Sequence, residues 1–146
     1  MSSYREQAYI EAPVDVVWEL LGDPNHHPEW WPKIVEAECE GVSESCRYRQ
    51  VVEGPFGAYE EEAMIERLED CRMVHIRCLE SNTFLRWALT ETREGTFVDA
   101  EFGCEPEKLG VKVFDVVAGK RYFRRWLHQS MDALREVARR RATRGA

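Results

Sequence analysis

The chain has no apolar run approaching the roughly eighteen residues of a membrane-spanning helix, so no integral membrane association is expected. Its five cysteines, Cys39, Cys46, Cys71, Cys78 and Cys104, are odd in number and lack CxxC spacing. That argues against a disulfide framework and for reduced, buried structural thiols in a cytoplasmic protein. There is no HExxH, and the adjacent His26 and His27 cannot share one helical face, so no metal is expected. A Gly-rich phosphate loop, a GxSxG elbow and a Ser-His-Asp spacing are all missing, and nothing points to a bound cofactor. The N-terminal residues, Met1 to Arg5, are polar and predict no signal peptide. Internal repeats, low-complexity stretches and interdomain linkers are also lacking.

What is present is 146 residues with 44 % apolar and 32 % charged content, enough for one domain over 1–146 with a real core. Net charge is −7, unevenly spread. The segment from Asp115 to Ala146 holds nine Lys or Arg against three Asp or Glu, which leaves −13 on the rest. A basic helix on an acidic body reads as self-complementary. A pI near 5.2 speaks against nucleic acid as a partner. Monomer and homodimer both remain compatible.

The long segment from about Val111 to Arg141 organises the chain. Val116, Phe123, Trp126, Leu127, Met131, Leu134, Val137 and Ala138 recur at helical spacing and form one apolar stripe. Such a helix cannot cover its own stripe, so a sheet is expected beneath it. Tyr4 to Ile10 reads as a first strand. Pro13 opens a short helix carrying Val14, Val17, Trp18 and Leu21, and Gly22 stops it. Asp23-Pro24 caps a second, compact turn that Pro28 and Pro32 confine. Strands are then predicted at Ile34 to Cys39, Ser45 to Val52, Ala58 to Leu68, Met73 to Glu80, Phe84 to Thr92 and Thr96 to Glu105. Their connections are short enough for antiparallel neighbours. The predicted fold is α+β: a curved antiparallel sheet of about seven strands around a C-terminal helix, with two short helices after the first strand.

That element order is accompanied by the stretch Ala12-Pro-Val-Asp-Val-Val-Trp18. It continues through Leu20-Leu21-Gly22-Asp23-Pro24 to Pro28-Glu29-Trp30-Trp31-Pro32. Together they resemble the START-like (SRPBCC) superfamily, closest to its polyketide cyclase/dehydrase and lipid-transport family, over essentially the whole chain. The resemblance implies a helix-grip fold whose helix and sheet enclose a cavity for apolar or amphipathic small molecules. It implies no particular ligand and carries over no catalytic motif.

The leading expectation is therefore binding of a small hydrophobic molecule such as a lipid, a quinone or a polyketide-like ring system. Alternatives are a polyketide aromatase/cyclase or dehydratase, and an interaction module using the basic helix face. Trp30, Tyr48, Tyr59, Trp87, Phe102, Phe123, Trp126 and Leu127 are candidate lining residues, because pockets use the same residue types as cores. Trp18 reads as plain core. Tyr48 and Tyr59 bring hydroxyls that could orient a carbonyl, and His26 or His27 could act as a base at a pocket mouth. The ordinary reading of both histidines is a solvent-facing turn. Glu61 and Arg67 share a face with Ala63 and Ile65, whereas Met64 and Leu68 favour the opposite face as the inner one; an inward acid would suit acid–base work. Phe56, between Gly54 and Gly57, and the mid-helix Gly119 are candidate gate residues, with close packing the alternative for Gly119.

Overall fold

The computed structural model describes residues 2–54, 56–104 and 120–144. In chain order these form β1 (Ser2–Ile10), α1 (Val14–Leu21), a 3-10 turn (Pro24–Glu29), β2 (Ile34–Glu38), β3 (Arg47–Gly54), β4 (Gly57–Glu69), β5 (Met73–Cys78), β6 (Thr83–Glu91), β7 (Thr96–Cys104) and α2 (Lys120–Arg144). The strands make one curved antiparallel sheet in the order β1-β7-β6-β5-β4-β3-β2. Strands β2 to β7 pair as successive hairpins. β1 instead closes on β7, with Tyr4 opposite Phe102 and Ile10 opposite Thr96. The first two strands are thus opposite edges of the sheet, and α1 and the 3-10 turn carry the chain between them.

That corner is held by short polar contacts. Asp23 accepts a hydrogen bond from the Asn25 backbone N–H at 3.0 Å, which caps the 3-10 turn. The Asn25 amide then pairs with the Cys39 backbone in both directions, donating at 2.9 Å and accepting at 3.0 Å. The Thr96 hydroxyl donates to the Ala12 carbonyl at 2.8 Å and fixes the exit from β1. Trp18, expected in the core, is only half-buried. Its indole lies over Gly22, beside a surface groove shared with Val42 and Leu68.

α2 buries Trp126, Leu127, Met131, Leu134 and Ala138 against the sheet, while Arg124, Arg125, Arg135, Arg139 and Arg140 stay exposed. Each large apolar side chain buried this way stabilises the fold by about 1.5–3 kcal/mol. Ser130 sits in the same stripe with its polar group satisfied, its hydroxyl donating to the Trp126 carbonyl at 2.6 Å. The helix ends at Arg144 rather than at the expected Arg141, and the expected first part, 111–119, lies outside the described residues. Much of the basic face is paired within the chain. Arg141 bridges Glu19 of α1 and Glu29 of the 3-10 turn, Arg135 donates to the Tyr9 carbonyl, and Arg139 and Arg140 flank Glu136.

The open question about β4 has a geometric answer. Glu61, Ala63 and Ile65 are buried on the concave face, with Met64 on the other. A bulge between Ile65 and Arg67 then resets the alternation, so Arg67 is exposed although it has the parity of Glu61. Parity alone, which placed both on one face, fails at that point.

Candidate ligand-binding site

The concave face has two ends of different chemistry. At one, below α2, rings pack on rings. Trp31 stacks against Trp30 with centroids 5.0 Å apart and against Trp126 at 5.8 Å. Trp87 meets Trp30 and Trp31 edge-on at 5.7 and 5.6 Å. Phe102 bridges Trp87 at 5.6 Å and Trp126 at 5.1 Å. These offset and edge-to-face geometries are the favoured ones for aromatic pairs. Local sequence explains the convergence: Pro28 and Pro32 fold the Trp30-Trp31 pair inward, and the period of two aims Trp87 and Phe102 from adjacent strands. The Trp30 indole N–H donates to the Leu20 carbonyl at 2.8 Å and that of Trp126 to the Pro32 carbonyl at 2.6 Å.

His27 belongs to this cluster. It is fully buried, its ring edge-on to Trp31 at 4.9 Å. Its Nε2–H donates to the Leu21 carbonyl at 3.0 Å, which leaves Nδ1 bare and without a partner among the described residues. Burial pushes its pKa down to about 4, so the ring is neutral at pH 7. Neither sequence expectation for His27, a solvent-facing turn or a base at a pocket mouth, survives. The flanking prolines and tryptophans bury it, whereas His26 is half-exposed and pairs with Glu29.

At the other end, β3, β4 and β5 turn polar groups inward. Tyr48 lies opposite Ala63, Gln50 opposite Glu61, and Val52 opposite Tyr59. Glu61 and Tyr48 are each 4 % exposed. The Gln50 amide donates to Glu61 Oε1 at 2.9 Å and reaches the Cys78 thiol at 3.6 Å. The second Glu61 oxygen and the Tyr48 hydroxyl have no hydrogen-bond partner among the described residues. Burial raises the Glu61 carboxyl above its usual range, hydrogen bonds from Gln50 and the Cys78 thiol oppose that, and the like charge of Glu80 adds to it. The Tyr48 phenol is likewise pushed well up, chiefly by burial. Tyr59, 44 % exposed, and half-buried Tyr122 of α2 stand nearer solvent, both raised first by burial and then by the charge of Glu61. Lys33 Nζ lies 5.3 Å from the Tyr122 ring centroid.

The sequence candidates thus divide. Trp30, Trp87, Phe102 and Trp126 form one packed cluster, with Leu127 buried on the same helix face. Phe123 is half-buried at the cluster's edge, 6.4 Å from Trp126 and 5.8 Å from Tyr122. Tyr48 is inside the polar end, and Tyr59 is on its open side. Phe56 is 93 % exposed at the β3–β4 hairpin tip. Gly57 there has φ +114°, a conformation that requires glycine, while a Cβ on Gly54 would stand 2.7 Å from the Tyr59 ring. Gly54 is therefore explained by close packing rather than by motion. Gly119 lies outside the described residues. Gln50, Cys78 and Tyr122 were not among the candidates. Gln50 was findable, being two residues from Tyr48 and so on its face. Among the described residues, no group of three or more His, Cys, Asp or Glu is placed to hold a metal ion. No described helix is long and apolar enough to cross a membrane.

Residues 1–139 match the family model described as polyketide cyclase/dehydrase and lipid transport. Comparison with curated proteins yields no match. Among solved structures, a protein of Nitrosomonas europaea superposes with a TM-score of 0.74 at 16 % identity, over 95 % of each chain. A START superfamily protein of Mycobacterium smegmatis gives 0.72 at 11 % identity over 99 % of each. The di-domain ARO/CYC StfQ of the steffimycin biosynthetic pathway gives 0.73 at 17 % identity, covering 97 % of this chain but 51 % of StfQ. At these identities the likeness is one of fold.

Proposed function

The chain belongs to the polyketide cyclase/dehydrase and lipid-transport family, and from that premise we propose that it binds a small hydrophobic or amphipathic molecule between the sheet and α2. The molecule, of lipid, quinone or polyketide-like type, enters at the polar end of the concave face. One observation carries the reading. The Tyr48 hydroxyl and a Glu61 carboxyl oxygen are both buried without a partner among the described residues. A buried polar group left so costs about 1–3 kcal/mol, an arrangement expected where a ligand supplies the missing bond. The ring of the ligand lies on the half-buried edge of the aromatic cluster, on Phe123 and Tyr122, and does not intercalate among the interior rings. Tyr59 and Phe56 stand on the entry side.

A second reading is favoured by the same two groups. An inward carboxyl beside an inward phenol is the minimum for acid–base work on a poly-ketone, so an aromatase/cyclase or dehydratase activity fits this site as well. The polar end would then supply the proton donor and the aromatic edge the folded substrate conformation.

Native mass spectrometry of the purified protein, followed by organic extraction, tests the binding reading. A bound species of small-molecule mass, lost on extraction, is the expected result. A protein that carries nothing and also fails to enhance the fluorescence of an apolar naphthalene probe would refute it. Turnover of a poly-ketone, abolished by Glu61→Gln with the fold intact, would move the assignment from carrier to enzyme.

A further inference from the structure

We propose that the Tyr48–Glu61 end accepts the oxygen of an uncharged carbonyl on a ring-bearing ligand and rejects carboxylate and phosphate head groups. The proposal rests on the binding reading above and narrows it, separating the polyketide-like or quinone-like ligands from anionic lipids.

Geometry supplies the first argument. Glu61 and Tyr48 project from the same face of neighbouring strands: Gln50 lies opposite Glu61, and Tyr48 is two residues from Gln50. That makes them a diagonal cross-strand pair, close enough for both to reach one small group. Gln50 spends an N–H on Glu61 Oε1. What this end still offers is the Glu61 Oε2 edge and the Tyr48 hydroxyl, both buried and unpartnered among the described residues. Burial favours the protonated form of Glu61, and in that form both are O–H donors; two donors facing one point call for an acceptor that carries no proton of its own. A ketone or quinone oxygen meets that requirement with its two lone pairs.

Charge supplies the second. An anionic head group needs a buried cation or an array of backbone N–H groups to replace its water. The arginines of β3, β4 and β5 are committed to ion pairs with glutamates: Arg47 to Glu62 at 3.1 Å, Arg49 to Glu60 at 2.7 Å, Arg67 to Glu69 and Arg77 to Glu66 at 3.2 Å. The nearest like charge acting on Glu61 is Glu80, which repels an anion further. Lys33 is placed over the outer ring of Tyr122 rather than at the Glu61 carboxyl. Val52, Ala63 and Ile65 are buried beside the donors, and the groove at Tyr48 and Glu61 is otherwise lined by Arg47, Arg49, Glu60, Glu62 and Glu80, in which carboxylates outnumber the two paired arginines.

Three probes of one shape decide it: acetylnaphthalene, naphthoate and naphthylmethylamine, the same ring system with a neutral ketone, an anion and a cation. Affinities are measured at neutral pH from the quenching of tryptophan emission. The ketone is expected to bind about tenfold or more tighter than the naphthoate and tighter than the amine. Tyr48→Phe should weaken the ketone by about tenfold, and Glu61→Leu likewise, whereas Glu61→Gln, which keeps a neutral donor, should largely preserve it. Naphthoate binding as tightly as the ketone would overturn the proposal and leave the binding reading standing, and a preference for the amine would do the same, by showing an ionised Glu61 that holds a cation. No binding of any probe would remove both readings together. The wild-type comparison needs no variant, so a Glu61→Leu protein that fails to fold leaves the proposal fully testable.

Discussion

The two ends of the concave face are buried alike and differ in chemistry. Around Trp31 the rings pack on one another, although Trp31 Nε1, Trp87 Nε1 and His27 Nδ1 have no hydrogen-bond partner among the described residues. Six side chains, His27, Trp30, Trp31, Trp87, Phe102 and Trp126, exchange stacked and edge-on contacts with centroids 4.9 to 6.1 Å apart. Around Glu61 the same depth of burial surrounds an acid whose neighbours are a neutral amide, a thiol and a phenol. The difference shows that burial by itself does not distinguish core from site. What sets the Glu61 end apart is that one of its unpartnered buried atoms belongs to a carboxyl, whose burial costs stability that packing elsewhere must offset.

The largest break would come at the aromatic end. Trp87→Ala removes a fully buried ring in contact with three others and should cost about 3–5 kcal/mol in chemical denaturation. A loss under about 1 kcal/mol would mean that the rings line a space instead of filling it. Leu134→Ala, fully buried beneath α2, should cost about 2–5 kcal/mol and checks the same packing from the helix side.

Next is the pH dependence of His27. Its folded pKa, about 4, lies below the ordinary 6.5, so the unfolded chain binds the extra proton first. The stability this group contributes is complete above pH 6.5 and is lost as pH falls towards 4. The drop is roughly 3 kcal/mol, at about 1.4 kcal/mol per pKa unit. His27→Gln should flatten that part of the stability–pH curve. An unchanged slope would place the charge elsewhere.

Glu61 has the opposite sign. Its folded pKa is raised, so its contribution is fully present at low pH and is lost as pH rises through the folded value. Glu61→Gln should therefore raise the unfolding free energy at pH 8 by about 1 kcal/mol, read from chemical denaturation. A destabilised variant would make Glu61 a structural acid and equalise the two ends. The smallest effect concerns the thiols. None of the five is in a disulfide, and Cys39, Cys78 and Cys104 are buried while Cys46 and Cys71 are partly exposed. Disulfide-reagent titration should find two faster groups in the native protein and five after unfolding. A fast Cys78 would show the polar end to be open to solvent.

Sequence periodicity by itself determined the strands, the apolar stripe of α2 and the Pro-bounded corner. Each depends on a local rule: alternation of two, spacing of three and four, or proline's missing N–H. Tyr48 was a candidate on residue type instead, as an aromatic ring that carries a hydroxyl. Tertiary structure alone decided three things. A bulge after Ile65 put Glu61 inside and Arg67 outside, and no pattern of residues announces which strand carries the extra one. His27 became a buried, neutral ring because two tryptophans from its own turn and a carbonyl from α1 closed around it. The aromatic residues, identical in type whether they line or fill, became a packed cluster where four separate elements brought them within ring contact. The inward acid acquired its character only there, because a carboxyl's proton affinity depends on the water and charges around it, and these are properties of the folded neighbourhood rather than of the chain.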